Sequence, residues 1–271
     1  DLILTGSLNS GTGSTTINVS DGGSLGIGFS SGFGMNLTTT EQANIIGTGD
    51  LSLVNGSITS SASNSLSASG KLTIGQSGGT ITGQGALTLS GAKGLAINSS
   101  ITSAGNLILE GDSNNSADSD DSISLASGTS LIASAGSITL DATTGGISAA
   151  GAVTLNATNG ITINDDLTSS GTAIFDADTD NNGTGTFTLA SGEALSTGNN
   201  ALAITAASMA LSGTLSSGTA GTTLLTSQSG TTIGLGTGTG TFSLTDSELG
   251  QITAGSLTIG DGTNGNITVN G

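Results

Sequence analysis

The chain has 271 residues and a formal net charge of −17, and Lys71 and Lys93 are its only cationic side chains. No basic surface is offered to nucleic acid or to an anionic membrane, and the absence of Cys removes disulfides and thiolate metal sites. Pro, His, Trp and Tyr are also missing and only five Phe are present, yet apolar residues make up 34% and mean hydropathy is +0.20, too apolar for a disordered chain.

Taken in chain order, the apolar residues come in triplets with a small or polar centre. Ile17-Asn18-Val19, Leu51-Ser52-Leu53, Leu72-Thr73-Ile74, Leu87-Thr88-Leu89, Leu95-Ala96-Ile97 and Leu107-Ile108-Leu109 open the series. Ile123-Ser124-Leu125, Ile138-Thr139-Leu140, Val153-Thr154-Leu155, Ile161-Thr162-Ile163, Phe187-Thr188-Leu189, Leu202-Ala203-Ile204, Phe242-Ser243-Leu244, Leu257-Thr258-Ile259 and Ile267-Thr268-Val269 continue it. Period-two alternation turns the flanking residues to one face and the centre to the other. Thr and Ser suit the exposed side of a strand. No 3.6-residue pattern persists and Gly interrupts nearly every window, so helices are not expected.

Spacing sets the predicted architecture. Ile123, Ile138 and Val153 start triplets at one equal interval, which Phe187 and Leu202 repeat. A longer interval, again shared, separates Leu87 from Leu107 and Val153 from Ala173. The turns between them are varied and rich in Gly, Asn, Ser and Asp, unlike the two-residue turns of hairpins. Like strands recurring at one coil's separation predict an all-β fold, a parallel β-helix with short strands and coils of about 15–20 residues, continuous over residues 1–271. At about 4.8 Å per coil, roughly fourteen coils give a rod of about 65 Å. The absence of Pro fits a chain that is mostly hydrogen-bonded ladder.

A longer repeat overlies the short one. Residues 1–53 return, degenerate but in register, from Ser208 to about Ile259. Leu4-Thr5-Gly6-Ser7-Leu8 matches Leu211-Ser212-Gly213-Thr214-Leu215, Met35-Asn36-Leu37-Thr38 matches Phe242-Ser243-Leu244-Thr245, and Glu41 matches Glu248, all at an offset of 207. Residues 1–207 therefore form one unit and 208–271 the start of the next. Leu2-Ile3-Leu4 opens with a strand and Ile267-Thr268-Val269 closes with one, so continuation into further coils or copies end to end is expected.

Two cadences carry a family resemblance. Gly136-Ser137-Ile138-Thr139-Leu140-Asp141-Ala142 with Gly151-Ala152-Val153-Thr154-Leu155-Asn156-Ala157 resembles filamentous-haemagglutinin-type exoproteins. Phe242-Ser243-Leu244-Thr245-Asp246-Ser247-Glu248-Leu249 with Ile252-Thr253-Ala254-Gly255-Ser256-Leu257-Thr258-Ile259-Gly260 is similar to a motif of giant repetitive bacterial surface proteins. The resemblance implies a right-handed β-helix, export to the cell surface and an adhesive or structural role, with surface glycans among the partners of an adhesin. The secretion domain typical of that family is not recognisable in this sequence.

Two acidic loops are the candidate sites. One runs from Glu110-Gly111-Asp112 through Asp118, Asp120 and Asp121; the other is Asp176-Ala177-Asp178-Thr179-Asp180-Asn181-Asn182-Gly183. Alternating carboxylates on a Gly- and Asn-containing loop are the oxygen donors Ca²⁺ prefers, which makes Asp176, Asp178 and Asp180 candidate calcium ligands. The loop departs from the EF-hand pattern: its Gly stands at position eight and no Glu follows at position twelve. The alternative is a solvated acidic turn that limits lateral association. No cofactor is required by this reading. Without His, Cys or Arg, catalysis is not expected. Adjacent Asp120-Asp121 and Asp165-Asp166 would point to opposite sides rather than clasp a glycosidic bond. Thr38-Thr39-Thr40 and Thr237-Gly238-Thr239-Gly240-Thr241 raise an ice-binding reading, which needs Thr in matched positions over many coils, a regularity the triplet centres lack.

Overall fold

The computed structural model describes residues 2–20, 23–116 and 120–271. These residues wind into a parallel β-solenoid with three faces, and from Leu51 to Leu211 each turn lays down one strand per face in the same order. The first face stacks ten strands from Thr15–Ile17 to Ile252–Thr253. The second stacks eleven between Met35–Leu37 and Ser256–Ile259, and the third seven between Asn64–Ala68 and Ser208–Leu211.

The triplets build these faces as their alternation requires. In Ile138-Thr139-Leu140 and Val153-Thr154-Leu155 the flanking residues are buried and the central Thr is half-exposed. Parallel pairing puts like on like. Leu87 stacks on Leu107, Ile138, Ile161 and Phe187 along the third face, and Leu72 on Leu95, Ile123, Ile147 and Leu167 along the first. Each fully buried Leu or Ile contributes about 1.5–3 kcal/mol relative to exposure, so the column itself stabilises the rod. Two of the largest buried side chains, Phe175 of the second face and Phe187 of the third, stack at 5.9 Å between ring centroids.

The observed coils correct the expected coil length. The longer of the two spacings is a true coil, since Leu87 pairs with Leu107 and Val153 with Ala173. The shorter is not. Ile123, Ile138 and Val153 lie on the first, third and second faces in turn, so that interval measures an advance of two faces, two-thirds of a turn, with the strands at Thr129 and Ile147 in between. Coils are longer than expected and uneven. The coil from Leu107 to Ile138 is half as long again as the one before it, because turns absorb insertions without disturbing the strands. The longest face thus has eleven layers instead of fourteen, a rise of about 50 Å.

Two helices also appear where none was expected: α1 (Thr39–Asn44) and α2 (Asp246–Gly250). Each opens with a capping box, Thr38 with Glu41 and Thr245 with Glu248. They are too short to show helical periodicity, and their sequence signal is the cap, Thr-x-x-Glu.

The strand pairing repeats with the sequence, the offset staying within a residue of 207 over these strands. Leu8 pairs with Ile45 as Leu215 pairs with Ile252. Ile17 pairs with Leu53 as Leu224 pairs with Ile259. The Leu4 N–H donates to Glu41 Oε1 at 3.3 Å, and the Leu211 N–H donates to Glu248 Oε1 at 3.3 Å. Gly11 and Gly218 occupy the same left-handed turn, with φ of 60° and 59°, where an L side chain would be strained.

Candidate functional site: an acidic edge of the solenoid

The turns that leave the third face and enter the first lie one above another along a single edge of the rod. Lys71, Lys93, Glu110, Asp112, Asp120, Asp121, Asp141, Asp165, Asp166 and Glu193 all fall in these turns or at the strand ends that bound them. What reads in the sequence as a local acidic loop is the start of a carboxylate column that climbs through successive coils. Register enforces it: Glu110 stands directly opposite Asp141 in the ladder.

The carboxylates brace neighbouring turns. Asp165 Oδ2 accepts from the Ala142 and Thr143 N–H groups at 2.6 and 2.8 Å, one coil away. Asp166 Oδ1 accepts from the Ala194 N–H at 2.7 Å, and Asn164 Nδ2 donates to Asp141 Oδ2 at 3.1 Å. Asp121 Oδ2 accepts from Thr144 Oγ1 at 3.3 Å. The adjacent pairs diverge as expected: Asp165 and Asp121 are buried, whereas their neighbours Asp166 and Asp120 are exposed. They do so in turns rather than on strands.

Proximity also changes their chemistry. Burial raises the Glu110 carboxyl above its ordinary value, helped by the charges of Asp141 and Asp112. Burial raises Asp165 in spite of its two N–H donors, and it raises Glu193 together with the charges of Asp165 and Asp166. A shallow cleft of about 350 Å³ opens here, lined by Thr143, Thr144, Asp165, Asp166, Thr168 and Glu193. Its chemistry is that of a negatively charged, hydroxyl-rimmed groove that attracts cations and repels acidic polymers.

The predicted ligands Asp176, Asp178 and Asp180 lie on a different edge, between the second and third faces. Asp178 is fully buried and its oxygens are already engaged. Oδ1 accepts from the Asn182 N–H at 3.2 Å, while Oδ2 accepts from the Gly183 N–H at 2.9 Å and from Ser227 Oγ at 2.5 Å. Asp176 Oδ1 accepts from the Asp178 N–H at 3.1 Å, and burial raises the Asp176 carboxyl. Asp180 is exposed and accepts from Asn182 Nδ2 at 2.8 Å. Asp178 therefore acts as the internal brace of this loop. Among the described residues no group of three or more acidic side chains is placed to hold a metal ion. Asp118 lies outside the described residues. Of the Thr segments, Thr38 caps α1, Thr39 and Thr40 lie within it, and residues 237–241 form a loop, so neither segment lies on a strand face.

A second, larger cleft of about 560 Å³ adjoins α1. It exists because Ile45–Ile46 pairs with Leu8–Asn9 and not with Asn64–Ala68, which leaves an opening lined by Asn9, Gln42, Ile45, Asp50 and Ser67. Sequence reading missed both clefts. The acidic edge had a usable signal, because its carboxylates recur between a third-face triplet and the first-face triplet that follows. The α1 cleft had none beyond the cap motif.

No protein-family model matches this chain, and neither does any curated protein or solved structure.

Proposed function

We propose that this chain is a segment of a long extracellular bacterial surface filament with a structural or adhesive role. The observation that carries the reading is the junction between the two units. The unit restarts at Ser208 without interrupting the first or the second face: Leu195 pairs with Leu215 and Ile204 with Leu224 across the join. A unit whose first turns seat in register on its own last turns can be repeated without limit, since each repeat contacts only its neighbours. Placement outside a bacterial cell rests on the resemblance of the two quoted cadences. Further copies of the unit are the partners this role requires, with surface glycans as the targets of an adhesive version.

The acidic edge fits a passive rod. A column of like charge along one side keeps parallel rods apart in the absence of cations. Imaging of the native source material tests the proposal. Long thin filaments with an axial strand spacing of about 4.8 Å are expected. A compact 25.6 kDa monomer with no longer parent polypeptide would overturn it.

A further inference from the structure

The two copies of the repeat do not sit on the same faces. Thr15–Ile17 belongs to the first face, whereas its counterpart, within Gly221–Thr226, belongs to the second. Leu8–Asn9 and Ile45–Ile46 precede the first face on the side of the third, where Ile45 lines a small cleft with Asn64–Ser67. Their counterparts, Thr214–Ser216 and Ile252–Thr253, lie on the first face. Leu25–Ile27 and Met35–Leu37 are on the second face. Their counterparts Ile233–Gly236 and Phe242–Leu244 follow the second face, with Phe242–Leu244 against Ser208–Leu211 of the third. Every strand of the repeat has moved on by one face.

Counting turns gives the cause. From Thr15–Ile17, the first face passes through the strands beginning at Leu51, Leu72, Leu95, Ile123, Ile147, Leu167, Ala194 and Thr214, eight turns. The counterpart of Thr15–Ile17 comes one face later. The unit therefore winds eight and one-third turns, and the third of a turn carries the helical insert from one edge to the next. α1 stands between the second face and the third-face side; α2 stands between the third-face side and the first.

We infer that the repeat unit is a screw element, so that tandem units present their capped helix at the three edges of the rod in turn and return to the same edge every third unit. This inference rests on the reading of the chain as part of a repeating filament. With about 4.8 Å per layer, successive inserts rise by about 40 Å and the pattern closes after about 120 Å. A filament of this kind has no bare side. Contacts made through the insert leave the rod in three directions, which favours a three-dimensional mesh over a flat ribbon. The insert is suited to such display, because no residue of α1 or α2 is buried.

The chain has no Cys, so the inference can be tested by site-specific gold labelling. Thr40→Cys and Ser247→Cys mark equivalent exposed positions in the two inserts. A longer chain, in which residues 1–271 are followed by residues 63–271, adds a third insert. Electron microscopy of the labelled long chain is expected to show three labels, each a third of a turn from the last, at axial steps of about 40 Å. Labels aligned on one side of the rod would overturn the inference. The unextended chain gives an independent reading should the longer one not fold. Its two labels must already differ by a third of a turn, and coincident azimuths would overturn the inference there too. A native source without filaments would remove the filament reading and leave this measurement unaffected.

Discussion

The two copies of the insert share a frame and differ in what fills it. In both, a strand is followed by a loop that folds back over the strand's outer side, and the strand's second residue is Gly. At Gly26 the space a Cβ would need is taken by the Phe33 ring, which packs on Phe29 with centroids 4.7 Å apart. At Gly234 the same space is taken by backbone, the Gly238 carbonyl oxygen and the Gly240 nitrogen. One copy closes the loop with aromatic side chains, the other with Thr and Gly alone. What both retain is the cap, the tether between the Glu carboxylate and the N–H of Leu4 or Leu211, and the register. The frame is thus held by a few hydrogen-bonded positions, and the loop is free to drift.

The largest effect that would break this comparison comes from filling the shared space. Gly234→Ala is expected to cost about 1–3 kcal/mol, the usual range for overpacking, because backbone on both sides cannot withdraw. Gly26→Ala should cost distinctly less, since the Phe33 ring can rotate away. Thermal melts of the two variants check the order, and equal losses would mean that the loops are held in the same way.

A smaller effect should sharpen the likeness. Glu41→Ala and Glu248→Ala each remove a capping box and the bond to Leu4 or Leu211. Each is expected to cost about 0.5–2 kcal/mol, as loss of a helix cap does, and by similar amounts. Hydrogen exchange at the Leu4 and Leu211 amides should accelerate in the respective variants. A loss confined to one copy would show that the two tethers differ in kind.

The smallest effect separates the first insert from the rod between the copies. Glu110, Asp165, Asp176 and Glu193 have carboxyls raised by burial, so the folded state holds protons that the unfolded chain releases. Stability linked to them is present below the ordinary carboxylate range and is lost as pH rises through their raised values. Glu41 runs the other way. Hydrogen bonds from Thr38 lower its carboxyl, so its contribution is present above the ordinary value and is lost as pH falls through the lowered one. Mild acidification from neutral pH should therefore raise amide protection, taken relative to the intrinsic exchange rate at each pH, around these four carboxyls, while stronger acid should loosen α1 first. Uniform behaviour along the chain would contradict both assignments.

Much of the fold was legible in the sequence, for a physical reason. A strand buried on one side must alternate, and Leu72-Thr73-Ile74 or Val153-Thr154-Leu155 cannot do otherwise and keep its core. Coil length was harder to read, because turns carry no periodic constraint: the long excursion from Glu110 to Ile123 looks like any other polar stretch. Every second strand also resembles a strand of the next coil, and that is why the interval from Ile123 to Ile138 to Val153 misled. The helices escaped notice because each makes less than two turns, leaving Thr38 with Glu41 and Thr245 with Glu248 as the whole signal. The calcium expectation rests on residue types in Asp176 to Asp180; the sequence shows the oxygens there, and the structure adds that Asp178 is buried and accepts hydrogen bonds from its own loop.

The unevenness of the coils has a mechanical consequence. Strands lie across the rod, so a pull along its axis peels it one turn at a time, each turn acting as a separate fuse. The rise per layer is constant, but the stored chain is not: one turn releases the stretch from Leu87 to Leu107, and the next the longer stretch from Leu107 to Ile138. Fully drawn out, those turns give up to about 70 Å and about 105 Å of slack. Under tension the molecule would lengthen in unequal steps, and the longest turns would be its shock absorbers.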